Sequence, residues 1–146
     1  MFLASPNFES GESIPPKFTC DGDDISPALI IKDVPPQAKS LALIVDDPDA
    51  PMGTWLHWTV WNIDPAVSFI PEGTVPRGAV EGVTDFGKVG YGGPCPPSGT
   101  HRYFFKLYAL DNKLNLPSGA SLSDIKESIE GHILAEAQFV GTYGRE

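Results

Sequence analysis

Residues 40–63 read SLALIVDDPDAPMGTWLHWTVWNI, two apolar runs either side of a turn built from Pro, Asp and Gly. The first run, Ser40 to Asp47, is rich in Leu, Ile and Val and is too short for a typical helix, which is how a buried strand reads. Strand alternation places Leu41, Leu43, Val45 and Asp47 on one face. Asp47 therefore ends a hydrophobic row. The second run, Thr54 to Ile63, is aromatic and β-branched, again strand-like. Alternation puts Trp55, His57, Thr59 and Trp61 on one side, with Leu56, Trp58 and Val60 on the other. Both sides look covered, as at the centre of a sandwich, and Trp55, Trp58 and Trp61 read as a core set.

Working outward, residues 64–100 show little periodicity. The segment GKVGYGGPCPPSGT, Gly87 to Thr100, has five Gly and three Pro in fourteen residues, so backbone chemistry sets its shape. Loops of this length inside one domain are usually functional. It runs into HRYFFKLYAL, His101 to Leu110, a third strand with His101, Tyr103, Phe105 and Leu107 on one face. Ser121 to Glu130 reads as a helix: Ser121 and Asp124 resemble a capping box, Leu122, Ile125 and Ile129 form the apolar stripe, and Gly131 ends it. Residues 132–143 permit a helix or a strand, and the alternation of Ile133, Ala135, Ala137 and Phe139 with Glu136 and Gln138 favours a closing strand.

The chain has 146 residues, 41% of them hydrophobic, which implies one domain with a sizeable core. With 15 Gly and 15 Pro it cannot be mostly long helices. A net charge of -9 excludes a nucleic-acid partner and stable association with an anionic membrane surface. Cys20 and Cys95 could form at most one bridge and lack paired zinc-site spacing. Free thiols in a cytoplasmic protein are the expected reading. The first basic residue is Lys17, so no signal peptide is apparent, and no apolar run is long enough to span a bilayer.

Three polar clusters attach to strand ends: Asp46, Asp47 and Asp49; His57; and His101, Arg102 and Tyr103. If the strands are neighbours, Asp47, His57, His101 and Tyr103 converge. Imidazoles and a phenol donate hydrogen bonds to an anion, loop N–H groups add donors, and Asp47 orients an imidazole. Arg102 faces away from His101 and suits a structural pairing with Asp49. The G-x-S-x-G, G-x-x-x-x-G-K-[ST] and H-E-x-x-H patterns are missing from the sequence. Cys95, six residues before His101, makes a Cys and His hydrolase conceivable. Neither a metal nor a cofactor is expected: Asp47, His57 and His101 are widely separated ligands.

DDPDAP at 46–51, LHWTVWNI at 56–63 and FGKVGYGGPCPPSGTHRYFFKLYAL at 86–110 resemble the signature blocks of the phosphatidylethanolamine-binding protein family, in its bacterial and archaeal branch. IPPKFTCDGDDISPAL at 14–29 and GHILAEAQFVGTYGR at 131–145 extend the resemblance over nearly the whole chain. It implies a mainly β fold, an antiparallel Greek-key β-sandwich with a few short helices, as a single domain over 1–146. It also implies a shallow pocket for phosphate-like or carboxylate anions and no catalytic reaction. Matched residue by residue, the pocket falls on Asp47, His57, His101 and Tyr103, with backbone amides around Cys95 and Pro96, and Asp49, Trp55 and Arg102 in support. The expected function is a non-enzymatic binding or regulatory protein for a phosphorylated ligand or partner. Two alternatives stand beside it: a serine protease inhibitor acting through the Pro-rich loop, and a hydrolase using the Asp and His cluster. Sandwich edges, and the pairing tendency that the resemblance implies, suggest a homodimer.

Overall fold

In the computed structural model, which describes residues 1–145, two antiparallel sheets are joined by long loops and backed by one α-helix. The smaller sheet contains β1 (Phe2–Ala4), β2 (Leu29–Lys32) and β5 (Phe69–Ile70), in the order β1-β2-β5. The larger contains β3 (Ser40–Asp47), β4 (Trp55–Ile63), β6 (Val80–Glu81), β7 (Gly99–Leu110) and β8 (Ile133–Arg145), in the order β6-β4-β3-β7-β8. After β3, β4 and β6 the chain returns to lay β7 along the free side of β3. That return is the Greek-key connection. The fold is mainly β, as expected.

Every residue of β3 is buried, because both of its faces are covered. On the inner face Leu41, Leu43 and Val45 share a core with Leu29, Ile31 and Ile70 of the small sheet and with Phe105 and Leu107 of β7. On the outer face Ala42 lies with Trp61 and Leu110 beneath Ile125 and Ile129 of α1 (Leu122–Ile129). A strand covered on both faces carries a continuous apolar run, and this one does. The helix starts as its sequence predicts: Ser121 Oγ accepts from the Asp124 N–H at 3.2 Å. Gly131, at φ 80°, provides the left-handed turn beyond its end. The segment left between helix and strand is β8, which pairs with β7 along its length.

Three expectations are corrected. Cys20 and Cys95 are joined in a disulfide, with Cα atoms 5.5 Å apart at a sequence separation of 75, so neither thiol is free. Local spacing could not reveal this, because the tertiary fold brings the two segments together. The three tryptophans are not one core set: Trp58 and Trp61 are fully buried, whereas Trp55 is half-buried on a cavity wall. Finally, β4 does not alternate regularly. Trp58 pairs with Val45 but Leu56 pairs with Asp46, leaving His57 as an extra residue in a β-bulge. The bulge turns His57 to the inner face beside Trp58 and Val60, away from Thr59 and Trp61.

Candidate functional site

The inner face of the larger sheet ends in polar groups. Asp47 follows Val45 on β3, and His101 and Tyr103 precede Phe105 on β7, so the apolar row changes to carboxylate, imidazole and phenol at the sheet rim. With bulged His57 they line a cavity of about 210 Å³ whose upper walls are Trp55, Phe86, Met52 and the Cys95–Pro97 segment. The sequence reading named Asp47, His57, Cys95, Pro96, His101 and Tyr103, and all six border this one cavity. Trp55, named as support, is a wall as well. Asp49 and Arg102 lie outside it.

Each imidazole is held by one nitrogen. His101 Nδ1 donates to Asp47 Oδ2 at 2.7 Å, and the other Asp47 oxygen accepts the Asp49 N–H at 2.8 Å. His57 Nδ1 donates to the Gly92 carbonyl at 2.7 Å, while the Gly92 N–H donates to the His57 carbonyl at 2.9 Å. A proton fixed on Nδ1 leaves Nε2 of both rings to meet a ligand, as acceptor when neutral and as donor when protonated. Burial lowers the pKa of His57 from its usual 6.5, partly countered by the Gly92 carbonyl and the Asp47 carboxylate. Tyr103 is pushed above the ordinary phenol range by burial and by the Asp47 and Asp49 carboxylates, so it keeps its proton. Its hydroxyl is buried and has no hydrogen-bond partner among the described residues. A donor left unpaired in this way is costly unless a ligand or water accepts from it.

Aromatic packing fixes the rings further. His57 meets Tyr103 edge-on at 5.2 Å and Phe86 at 5.3 Å, and Phe86 in turn meets Trp55 at 5.5 Å. At the rim, Asp49 takes Arg102 in a fork: Nε to Oδ2 at 2.9 Å, a terminal nitrogen to Oδ1 at 2.8 Å, with the Arg102 backbone N–H at 3.0 Å. This is the expected pairing, and it lowers the Asp49 pKa to about 2. It ties the turn after β3 to the start of β7.

The Gly- and Pro-rich loop is seated against residues 17–24. The Cys20 N–H donates to the Pro94 carbonyl at 3.1 Å, the Gly93 N–H to Asp24 Oδ1 at 2.8 Å, and the Tyr91 hydroxyl to the Phe18 carbonyl at 2.7 Å. The disulfide adds a covalent tie beside them. Of Pro94–Pro97 only Cys95 has a backbone N–H, so amide donation from that stretch comes from one residue. Bridged Cys95 has no thiol to act as a nucleophile. Sequence reasoning missed Phe86, Met52 and the Gly92 carbonyl as parts of the site. Phe86 and Met52 carried no polar signal, and a carbonyl partner leaves no trace in residue type.

The family model described as phosphatidylethanolamine-binding protein matches residues 4–144. A UPF0098 protein of Methanothermobacter thermautotrophicus is 51% identical over 150 residues, covering 99% of each chain. One of Aquifex aeolicus is 49% identical, covering 100% of this chain and 90% of its own. Among solved structures, a phosphatidylethanolamine-binding protein homologue from Chlamydia trachomatis, CT736, superposes with TM-score 0.95 at 45% identity, covering 99% of this chain and 97% of its own. YbcL of E. coli, described as a member of the mammalian family of such proteins, gives 0.92 at 34% identity, covering 99% and 98%.

Proposed function

The chain belongs to the phosphatidylethanolamine-binding protein family, and from that premise we propose that it is a non-enzymatic binding protein whose cavity takes a phosphate-like or carboxylate head group. One observation carries the reading: two imidazoles with Nδ1 already engaged, and a buried phenol hydroxyl without a partner among the described residues, border the same small cavity. An anion accepts from the Tyr103 hydroxyl and from His101 Nε2, with the Cys95 N–H available on the wall. It favours the charged form of His57, so binding takes up a proton. The Asp47 carboxylate holds the His101 ring by its Nδ1, which leaves Nε2 facing the ligand. The net charge of -9 is no obstacle, because the donors are local and directed.

Calorimetric titration with inorganic phosphate tests this. A hydrogen bond to a charged group contributes about 1.5–3 kcal/mol, so His101→Ala weakens binding by roughly 10- to 100-fold. Equal affinities of the wild-type and His101→Ala proteins, or no binding by the wild type, would overturn the reading.

A further inference from the structure

We propose that the Cys20–Cys95 bridge is a thiol–disulfide exchange site, at which a dithiol reductant releases one wall of the cavity and weakens anion binding. The affinity part rests on the function proposed above; the chemistry at the bridge does not. Both cysteines are exposed, and Cys95 borders the cavity. Exposed disulfides are the ones that exchange readily.

The bridge occupies a position where little else holds the chain. Up to Pro94 the loop is fixed by hydrogen bonds to His57, Phe18, Cys20 and Asp24, and from Gly99 it is paired with Arg145 in the sheet. Between these anchors, among the described residues, Cys95–Ser98 makes no backbone hydrogen bond, and its side-chain ties are the disulfide and a 3.8 Å approach of Arg145 to the Cys95 sulfur. Cutting the bridge therefore leaves this stretch, with the one amide that Pro94–Pro97 can offer a ligand, held only by the packing of buried Pro96. The imidazole floor keeps its own hydrogen bonds.

A charge also stands where the exchange needs one. A terminal nitrogen of Arg145 lies 3.1 Å from Cys20 Sγ and also pairs with Asp21. Attack by a reductant thiolate on the Cys95 sulfur forms a new S–S bond there, breaks the Cys20–Cys95 bond and expels the Cys20 thiolate toward this guanidinium. A stabilised thiolate is the better leaving group. The reductant's second thiolate then attacks its own sulfur in the mixed disulfide and expels the Cys95 thiolate. Two electrons pass to the protein; the reductant leaves as a disulfide, and both cysteine thiolates take protons from solvent.

The test uses the whole protein with dithiothreitol. Alkylation and mass measurement count the thiols formed, circular dichroism reports the fold, NMR order parameters report the mobility of the Cys95 and Ser98 amides, and calorimetry reports inorganic phosphate affinity. The expected result is two thiols in a folded protein, lower order parameters at those two amides with little change near His57, and phosphate bound several-fold more weakly. Arg145→Gln should slow the reduction several-fold. Cys20→Ser with Cys95→Ser should reproduce the reduced state, and if that variant does not fold, the reduced wild type carries the comparison. The proposal is overturned if the bridge resists reduction until the protein unfolds, or if it is reduced with no change in the order parameters at 95 and 98. If the oxidised protein binds no phosphate, the pocket reading fails instead, and thiol count and order parameters still judge the bridge.

Discussion

Gly92 and Gly93 are neighbours in the pocket loop, and the structure separates them sharply. A Cβ on Gly93 would stand 2.4 Å from the Phe18 carbonyl oxygen and 2.5 Å from Asp24 Oδ1. Ordinary contacts begin about 1 Å further out, and a backbone oxygen in a seated segment cannot turn aside. The loop must lift, stretching the bonds from the Gly93 N–H to Asp24 at 2.8 Å and from the Cys20 N–H to Pro94 at 3.1 Å. Overpacking costs about 1–3 kcal/mol and a weakened hydrogen bond about 1. Gly93→Ala should therefore cost about 2–4 kcal/mol and lower Tm by roughly 5–15 °C for a chain of this length. At Gly92 the added Cβ meets the Phe86 ring at 2.4 Å instead, and Phe86 is 41% exposed and free to swing out. Gly92→Ala should change stability by less than about 1 kcal/mol while disturbing the walls formed by Phe86 and Trp55, seen as a shift in Trp fluorescence. Urea unfolding of both variants decides the matter. A Gly93→Ala protein as stable as the wild type would mean that the loop is not seated on residues 17–24, and the account of the pocket wall would fail with it.

Because burial lowers the His57 pKa, the unfolded chain protonates this ring first. Its contribution to stability is full above pH 6.5 and is lost as pH falls toward the lower folded value, so His57→Gln should flatten that limb in urea titrations at stepped pH. The same ring ties anion affinity to protons: sulfate, whose own charge stays constant across this range, should bind more weakly as pH rises. Asp49, held at about 2 by Arg102, contributes stability that is present above 3.8 and lost as pH falls toward 2. In Arg102→Ala its carboxyl should titrate near the ordinary 3.8, followed by NMR. Ile125 is 1% exposed in the cluster beneath α1, and Ile125→Ala should cost about 2–5 kcal/mol in urea, with phosphate binding unchanged.

Periodicity at short range was readable because it reports burial directly. Leu41, Leu43 and Val45 leading to Asp47, and Phe105 and Tyr103 leading to His101, mark two strands whose apolar faces end in polar groups, and both lie as read. The Ser121 cap and the Gly131 stop are local chemistry and were equally plain. The facing of His57 was not, because a bulge depends on how the partner strand runs and a strict period of two cannot contain one. The free thiols expected of Cys20 and Cys95 were wrong for a related reason. Pairing across 75 residues is a property of the fold and cannot be read from either neighbourhood.

Residue types and their spacing therefore determined the β-rich class, the strands that build the larger sheet, and the groups that could meet an anion. Tertiary structure decided which nitrogen of each histidine is left for a ligand, that Trp55 and Phe86 form walls, and that residues 17–24 hold the loop in place. The physical reason is range. Alternation, capping and turn chemistry act between residues close in sequence, whereas a cavity is assembled from hydrogen bonds and contacts such as His57 to Gly92, His101 to Asp47 and Gly93 to Asp24, which close only after the sheets have formed.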